Sequence, residues 1–150
     1  MKILVATDDS QESRLAVKRL ASRPWPKRST VRVLSVSPSA YWATSAAGMG
    51  SAALEKMEAQ AEAEAQRAAS AAAESLKAAD LAVETKVRRG DPRTEIVDEA
   101  SEWSSDLIVL GSRGKAGLGR WLMGSVAAYV VRHAPCSVEV ARDRTLRAEK

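Results

Sequence analysis

Hydrophobic and polar positions along the chain follow two periods, one typical of strands and one typical of helices. Continuous apolar runs at Lys2–Thr7 and Asp106–Gly111 predict strands that are buried on both faces, as in a parallel sheet. The valine-rich segments Thr30–Ser37, Leu81–Arg88 and Cys136–Ala141 predict three further strands. The pattern therefore predicts five strands distributed along the whole chain.

Apolar residues at steps of three and four separate these strands and predict four amphipathic helices. The first follows Ser10, the second covers residues 51–79, the third follows the cap-and-proline pair Asp91-Pro92, and the fourth begins at Gly124-Ser125. At about 1.5 Å per residue the second helix is roughly 40 Å long, so part of it should project beyond the sheet. The predicted buried faces are Ala16, Val17, Leu20 and Ala21; Leu54, Met57, Ala61, Ala65, Ala68, Ala72, Leu76 and Ala79; Ile96, Val97, Ala100 and Trp103; and Val126, Ala127, Val130, Val131 and Ala134.

The order β-α-β-α-β-α-β-α-β is typical of a parallel sheet with helices on both faces. Right-handed crossovers favour the strand order 3-2-1-4-5 for such a sheet. We find no linker or repeat and expect one α/β domain over residues 1–150. The irregular stretch 37–51, which includes Trp42, predicts a mobile loop or a lid, and the tail from about 143 to 150 is expected to be disordered.

Composition narrows the class of protein. The hydrophobic fraction is 45% and the charged fraction 28%, as in ordinary globular proteins. No apolar run approaches the roughly 20 residues of a membrane span, and the short run after Met1 lacks the features of a signal peptide. Cys136 is the only cysteine, so no disulfide can form within the chain. We therefore expect a cytoplasmic protein with no membrane contact.

The net charge of +4 and the pI near 9.5 raise the question of nucleic-acid binding. The basic residues are scattered, and aromatic residues make up only 4% of the chain. No basic helix or stacking platform is visible. We therefore expect no nucleic-acid partner, and only a mild preference for anionic ligands.

The glycine-dense segment DLIVLGSRGKAGLGRWLMGS carries the candidate chemistry. In a doubly wound sheet the ligand crevice opens where the strand order reverses, here between the first and fourth strands, which places Asp8 opposite this segment. Glycine lets backbone N–H groups approach a phosphate, and the helix that starts at Gly124-Ser125 offers free N–H donors to an anion. Arg113 and Lys115 add positive charge. The competing interpretation is ordinary turn chemistry, and the established phosphate motifs G-x-x-x-x-G-K-[ST] and G-x-G-x-x-G are absent.

The spacing Gly111-x2-Gly114-x9-Gly124-Ser125 resembles the pattern G-x2-G-x9-G-[ST] of the universal stress protein family. The segments ILVATDDSQES, GDPRTEIVDEA and HAPCSVEV agree with it, and the likeness is weakest from Ser37 to about Met57. The resemblance implies a flavodoxin-like (Rossmann-like) three-layer sandwich that binds ATP, with magnesium, at the crevice. The glycine pattern marks the nucleotide-binding branch of the family.

The resemblance also implies a set of nucleotide-binding residues. The adenosine side is expected at the end of the first strand, the adenine at the end of the second, and the phosphates along the glycine segment. In that order they are Ala6, Thr7 and Asp8; Val36; Leu110, Gly111, Ser112, Arg113 and Gly114; and Gly124, Ser125 and Val126. Asp8 is the candidate for a ribose hydroxyl or a magnesium ion.

Other reactive side chains suggest no separate chemistry. His133 is the only histidine and stands where the last helix is expected to end. One histidine and one cysteine cannot form a typical structural zinc site. Asp8 and Asp9 are a weak candidate for a carboxylate pair, since Asp9 or Ser10 is expected to cap the first helix.

Three functions remain open at this point. The first is an ATP-binding regulatory or stress-response protein with an unknown protein partner and, since no general base is evident, at most slow hydrolysis. The second is an ATP-dependent adenylating enzyme, although the sequence ATDDS lacks the glycines of the S-G-G-x-D-S loop of such enzymes. The third is a dimeric scaffold that binds no nucleotide. The resemblance also implies a homodimer through the last strand, at Val138, Glu139, Val140 and Ala141.

Overall fold

The computed structural model describes residues 1–39, 48, 50–77, 79, 81–115 and 122–143. The strands are β1 (Lys2–Ala6), β2 (Thr30–Ser37), β3 (Ala82–Arg89), β4 (Leu107–Gly111) and β5 (Ser137–Ala141). The helices between them are α1 (Gln11–Ala21), α2 (Ser51–Lys77), α3 (Pro92–Glu102) and α4 (Ser125–His133). The predicted elements are all present, with boundaries that differ from the prediction by one or two residues.

The five strands form one parallel sheet of order β3-β2-β1-β4-β5, which confirms the predicted topology. Ile3 of β1 lies beside Val31 of β2 on one side and beside Leu107 of β4 on the other. The strand order reverses between β1 and β4, so their carboxyl ends open one crevice.

Alternation along the strands separates the core into two layers. Ile3 and Val5 face α1 and α2, where they pack with Leu20 and Leu76. Their neighbour Leu4 faces α3 and α4. The continuous apolar runs of β1 and β4 thus reflect strands covered on both faces.

Helix α2 is anchored through its carboxyl-terminal half, since its buried residues run only from Ala65 to Leu76. In the half that precedes Ala65, Leu54 and Ala61 are half-buried and Met57 is 41% exposed, so the predicted buried stripe is wrong at Met57 and only partly buried at the other two positions. The physical reason is length: this half extends past the carboxyl end of the sheet. In α4, Val131 was also predicted to be buried and is 48% exposed.

Several predictions fall outside the described residues. These are the lid interpretation for most of 37–51 with Trp42, the part of the glycine-dense segment at 116–121, and the tail beyond Asp143. Within the described ranges, no helix combines the length and the apolarity that a bilayer span requires.

Candidate functional site

A cavity of about 590 Å³ opens at the carboxyl ends of β1 and β4. Its volume falls within the roughly 300–1,000 Å³ that is usual for small-molecule sites. The predicted site residues that line it are Ala6, Thr7, Asp8, Val36, Leu110, Gly111, Arg113, Gly114, Gly124, Ser125 and Val126. Of the predicted nucleotide-binding residues, Ser112 alone does not line the cavity. Residues about a hundred positions apart in sequence therefore meet around one space.

The far walls of the cavity are mainly apolar and come from helices that flank the crevice. Ala61, Ala65 and Ala68 of α2 form one wall, and Ile96 of α3 contributes to another. Ala61 belongs to the projecting half of α2, so the length of this helix gives the cavity part of its depth. Polar groups lie mainly around the ends of β1 and β4, and Glu64 adds a carboxylate from α2.

Three described glycines of the segment, Gly111, Gly114 and Gly124, stand where the chain approaches other atoms closely. A Cβ added at Gly111 would lie 2.7 Å from the backbone of Glu12 and Ser13, and one added at Gly114 would lie 2.6 Å from Asp8 Oδ2. At Gly124 the added atom would lie 3.2 Å from the carbonyl oxygen of Ser112. None of the three glycines has a left-handed φ. The glycines therefore stand at the points where β4, the loop and the start of α4 lie close to other backbone or to the Asp8 carboxylate.

Asp8 connects the two sides of the crevice. Its Oδ1 accepts the backbone N–H of Ser10 at 3.1 Å, and its Oδ2 accepts that of Lys115 at 2.9 Å. Burial by itself raises the pKa of Asp8, but hydrogen bonds from Ser10 and Lys115 outweigh burial and hold that pKa below its ordinary value. The carboxylate is therefore charged at neutral pH and fixes the position of the loop at Lys115.

Helix α4 presents its amino terminus to the cavity without a side-chain cap. Ser10 caps α1 by accepting from Ser13 N–H, and Asp91 caps α3 by accepting from Arg93 N–H. At α4 the cap position is Gly124, and no side chain in the described part of the chain bonds to its first turn. The N–H groups of this turn have no intrahelical partner. They remain available to an anion in the cavity.

Glu12 is the residue that sequence reasoning missed. It is 5% exposed, and its carboxylate accepts from the Ser112 hydroxyl and from the Arg113 guanidinium, with Arg113 Nε at 2.8 Å from Oε1. Burial raises the pKa of Glu12, but hydrogen bonds from Arg113 and Ser112 exceed this effect and lower it overall. A signal was present, because Glu12 lies four residues before Ala16 on the buried face of α1.

These contacts assign the side chains around the loop. The Arg113 guanidinium, expected near the phosphates, is held on Glu12, although the residue still lines the cavity. The Ser112 hydroxyl donates to Glu12, and the backbone N–H of Ser112 donates to the carbonyl of Ala141 at 2.8 Å. Lys115 is exposed beside the loop.

The other reactive side chains lie apart from the cavity. Asp9 has a φ of +62° and pairs with Arg14, so it does not join Asp8. His133 ends α4 as predicted and contacts the carbonyl of Tyr129. Burial raises the pKa of the Cys136 thiol, which lies beyond the end of that helix. In the described ranges no three side chains of the metal-binding type converge.

Strand β5, predicted to form the dimer interface, is an edge of the sheet. Val138 and Val140 are half-buried against the α3–α4 layer, while Ala141 is already fully buried in the α1–α2 layer. Glu139 pairs with Arg23 across the end of α1. Any contact through Ala141 would therefore use its backbone.

Comparison with known proteins identifies the family. The model of the universal stress protein family matches residues 1–142. Universal stress protein Sll1388 from Synechocystis is 32% identical over 151 aligned residues, which cover 94% of this chain and 97% of the relative. UspA from Lactobacillus plantarum superposes with a TM-score of 0.74 at 29% identity, over 95% of this chain and 97% of that one.

A further structure shares the fold at lower identity. The universal stress protein from Archaeoglobus fulgidus, solved in complex with dAMP, superposes with a TM-score of 0.67 at 23% identity, over 95% of this chain and 98% of that one. The family match and the alignment with the Synechocystis relative both span nearly the whole length of this chain. This chain belongs to the universal stress protein family.

Proposed function

We propose that this protein belongs to the nucleotide-binding branch of the family and binds ATP in the crevice between β1 and β4. The observation that carries the proposal is the convergence of Gly114, Gly124 and the uncapped first turn of α4 on one cavity of suitable volume. Main-chain N–H groups in such an arrangement recognise phosphate oxygens. The protein would act as a regulator in a stress response, changing its affinity for a protein partner when nucleotide binds.

The two ends of the cavity suit the two ends of a nucleotide. The phosphates would lie at the loop and at Ser125 and Val126, where the helix dipole favours negative charge. The base would lie toward Val36 and the apolar wall formed by α2 and Ile96. The complex of the A. fulgidus relative with dAMP supports an adenine nucleotide as the ligand class.

Magnesium would enter with the ligand. Asp8 is a carboxylate that lines the cavity, and both of its oxygens already accept backbone N–H groups. The chain therefore offers a bound cation little beyond what the phosphates supply. Asp8 is engaged in this way, and the contacts of the crevice point to no water-activating base beside the phosphate loop, so we propose at most slow hydrolysis. The segment ATDDS lacks the glycines of the S-G-G-x-D-S loop, which disfavours an adenylating enzyme.

The first experiment is calorimetric titration of the nucleotide-stripped protein with ATP and magnesium. Gly114→Val should abolish binding, because the new side chain would displace the Asp8 carboxylate and fill the space in front of the loop. The matched control is Gly50→Val, at a position where an added Cβ meets no atom within 4 Å. We expect the parent and this control to bind alike.

Whether the parent protein binds ATP distinguishes the nucleotide-binding function from the dimeric scaffold. Binding by the parent that is lost only in Gly114→Val supports the proposal. An absence of heat from the parent, with ATP and with competing nucleotides, would leave the dimeric scaffold as the better function.

We also propose a homodimer through β5, the edge strand that includes Val138 and Val140. An uncovered edge strand with valine side chains favours pairing with another strand. Light scattering at micromolar concentration should give the mass of a dimer. A monomer under those conditions would contradict this part of the proposal.

A further inference from the structure

We propose that Glu12 is a positioning residue for ligand binding: it holds the Arg113 side chain on α1 so that the backbone of the phosphate loop, defined as Gly111–Lys115, faces the ligand. The inference rests on the proposed function, because it assigns a role within the same site. Glu12 itself is not among the residues that line the cavity. It would therefore act through the loop without touching the nucleotide.

Both oxygens of Glu12 are used within the loop. Oε2 accepts from the Ser112 hydroxyl, and Oε1 accepts from Nε and Nη2 of Arg113. Two hydrogen bonds from one guanidinium fix the direction of that side chain as well as its charge. The Glu12 side chain is 7% exposed and the Arg113 side chain 16% exposed, so water screens their interaction weakly.

The segment Ser112–Arg113 lies between the first turns of two helices. On the α1 side, the carbonyl of Arg113 accepts from Ser10 Oγ at 3.5 Å. On the α4 side, the carbonyl of Ser112 accepts from Gly124 N–H at 2.8 Å, and a Cβ at Gly124 would lie 3.8 Å from Arg113 Cγ. Arg113 therefore runs from the start of α4 to Glu12 at the start of α1.

The path of the loop beyond Arg113 depends on this arrangement. Gly114 follows at once, and Lys115 N–H returns to Asp8 at 2.9 Å. Glu12 and Asp8 thus hold the loop at two points, before and after Gly114. Without the Glu12 carboxylate, Arg113 would lose the two charge-assisted hydrogen bonds that hold it on α1, and the backbone N–H groups would no longer be held in place for a phosphate.

Electrostatics alone predicts the opposite effect for loss of this charge. Removing a negative charge beside a phosphate site strengthens anion binding through the long-range field. A weaker affinity for phosphate-bearing ligands in a Glu12 variant would therefore have to come from the position of the loop. The sign of the change distinguishes the two effects.

The test measures dissociation constants for adenosine, AMP, ADP and ATP with magnesium, by calorimetry on the full chain. Glu12→Gln should lose at least about tenfold in affinity for ATP and keep its affinity for adenosine, since loss of a charge-assisted hydrogen bond is of this order. The control Glu55→Gln removes the same charge from an exposed position on α2 and should match the parent. Arg113→Met should reproduce the loss, and the double variant should be no worse than either single one.

The ligand series separates the inference from the proposed function. ATP affinity equal to or above that of the parent in Glu12→Gln overturns the inference alone. Equal loss of adenosine and ATP would indicate general damage and would also overturn it. A parent that binds ATP no more tightly than adenosine would show that the loop holds no phosphate, whereas a parent that binds neither overturns the proposed function as well.

Discussion

Glu12 and Glu99 are two buried glutamates on opposite faces of the same sheet, with 5% and 0% of their surface exposed. Each lies on the buried face of its helix, α1 or α3, and each is neutralised by arginine. The two glutamates differ in the number of cations around them and in whether those cations belong to strands or to a loop. The comparison separates charge that stabilises the fold from charge that shapes the site.

Glu99 holds α3 against β2 and the edge strand β3. Its carboxylate lies 2.6 Å from Arg32 Nη1 of β2, and 2.8 Å from both Lys86 Nζ and Arg88 Nη1 of β3. Burial raises the pKa of Glu99, but hydrogen bonds from Lys86, Arg88 and Arg32 lower it overall. All of these groups sit on regular strands or helices, so the cluster binds rigid elements together.

Among the described residues Glu12 pairs with one cation, Arg113, and that cation belongs to a loop. Two carboxylates of the same chemistry therefore contribute to different properties of the protein. A carboxylate shared among three cations on strands contributes mainly to the free energy of folding. One that fixes a loop beside a cavity contributes mainly to the geometry of binding.

The largest expected effect follows from Glu99→Gln. Removing this charge leaves cations clustered at a buried position, and breaking such a network destabilises proteins by about 3 kcal/mol. Urea denaturation monitored by tryptophan fluorescence measures it. The control is Glu102→Gln, which alters the same cluster at a carboxylate whose side chain is 58% exposed and should leave the midpoint unchanged. A similar loss in both variants would show that burial does not set the difference.

A smaller effect on stability is expected from Glu12→Gln. Its carboxylate has one charged partner, and glutamine can still accept from Ser112, so the free energy of unfolding should fall by about 1–2 kcal/mol. The same urea series provides the measurement. A loss that exceeds that of Glu99→Gln would reverse the comparison and make Glu12 chiefly a residue of the fold.

The smallest expected effect is on how the free energy of unfolding depends on pH in the acid range. Both glutamates have a folded pKa below the ordinary value of 4.5, so the unfolded chain takes up protons first as the pH falls. The stability they contribute is complete above that value and is lost as the pH falls through the folded pKa. Glutamine does not titrate, so the difference in unfolding free energy between the parent and each variant should shrink below pH 4.5. Urea midpoints at a series of pH values test this, and a constant difference would contradict it.

The strands and the topology could be predicted because they rest on local apolar pattern, whereas the residues at the ends of β1 and β4 that line the cavity were implied by the family resemblance, and the walls from α2 and α3 were not predicted. Apolar runs such as residues 107–110 identify buried strands, and the reversal of strand order places Asp8 beside Gly114. Glu12 and Glu99 could not be assigned in the same way. A charged residue in a helix is usually exposed, and its partners here lie in other elements, 101 residues away for Arg113 and 67 for Arg32.

One rule would have singled out both acids from the sequence. Glu12 stands four residues before Ala16, and Glu99 three residues after Ile96, each in line with the apolar stripe. An acid in such a stripe indicates a buried partner without naming it. The predicted role of Arg113 depended on that missing partner.

The uncapped start of α4 has a consequence for how this site can change over evolution or in the laboratory. Its donors are main-chain N–H groups, which every residue except proline supplies. Side-chain replacements at Met123 or Ser125 would therefore alter the shape of the entrance while leaving the donors intact. The proposed anion site therefore depends on the path of the backbone, which is set by positions such as Gly111, Gly114 and Gly124 where a side chain would not fit.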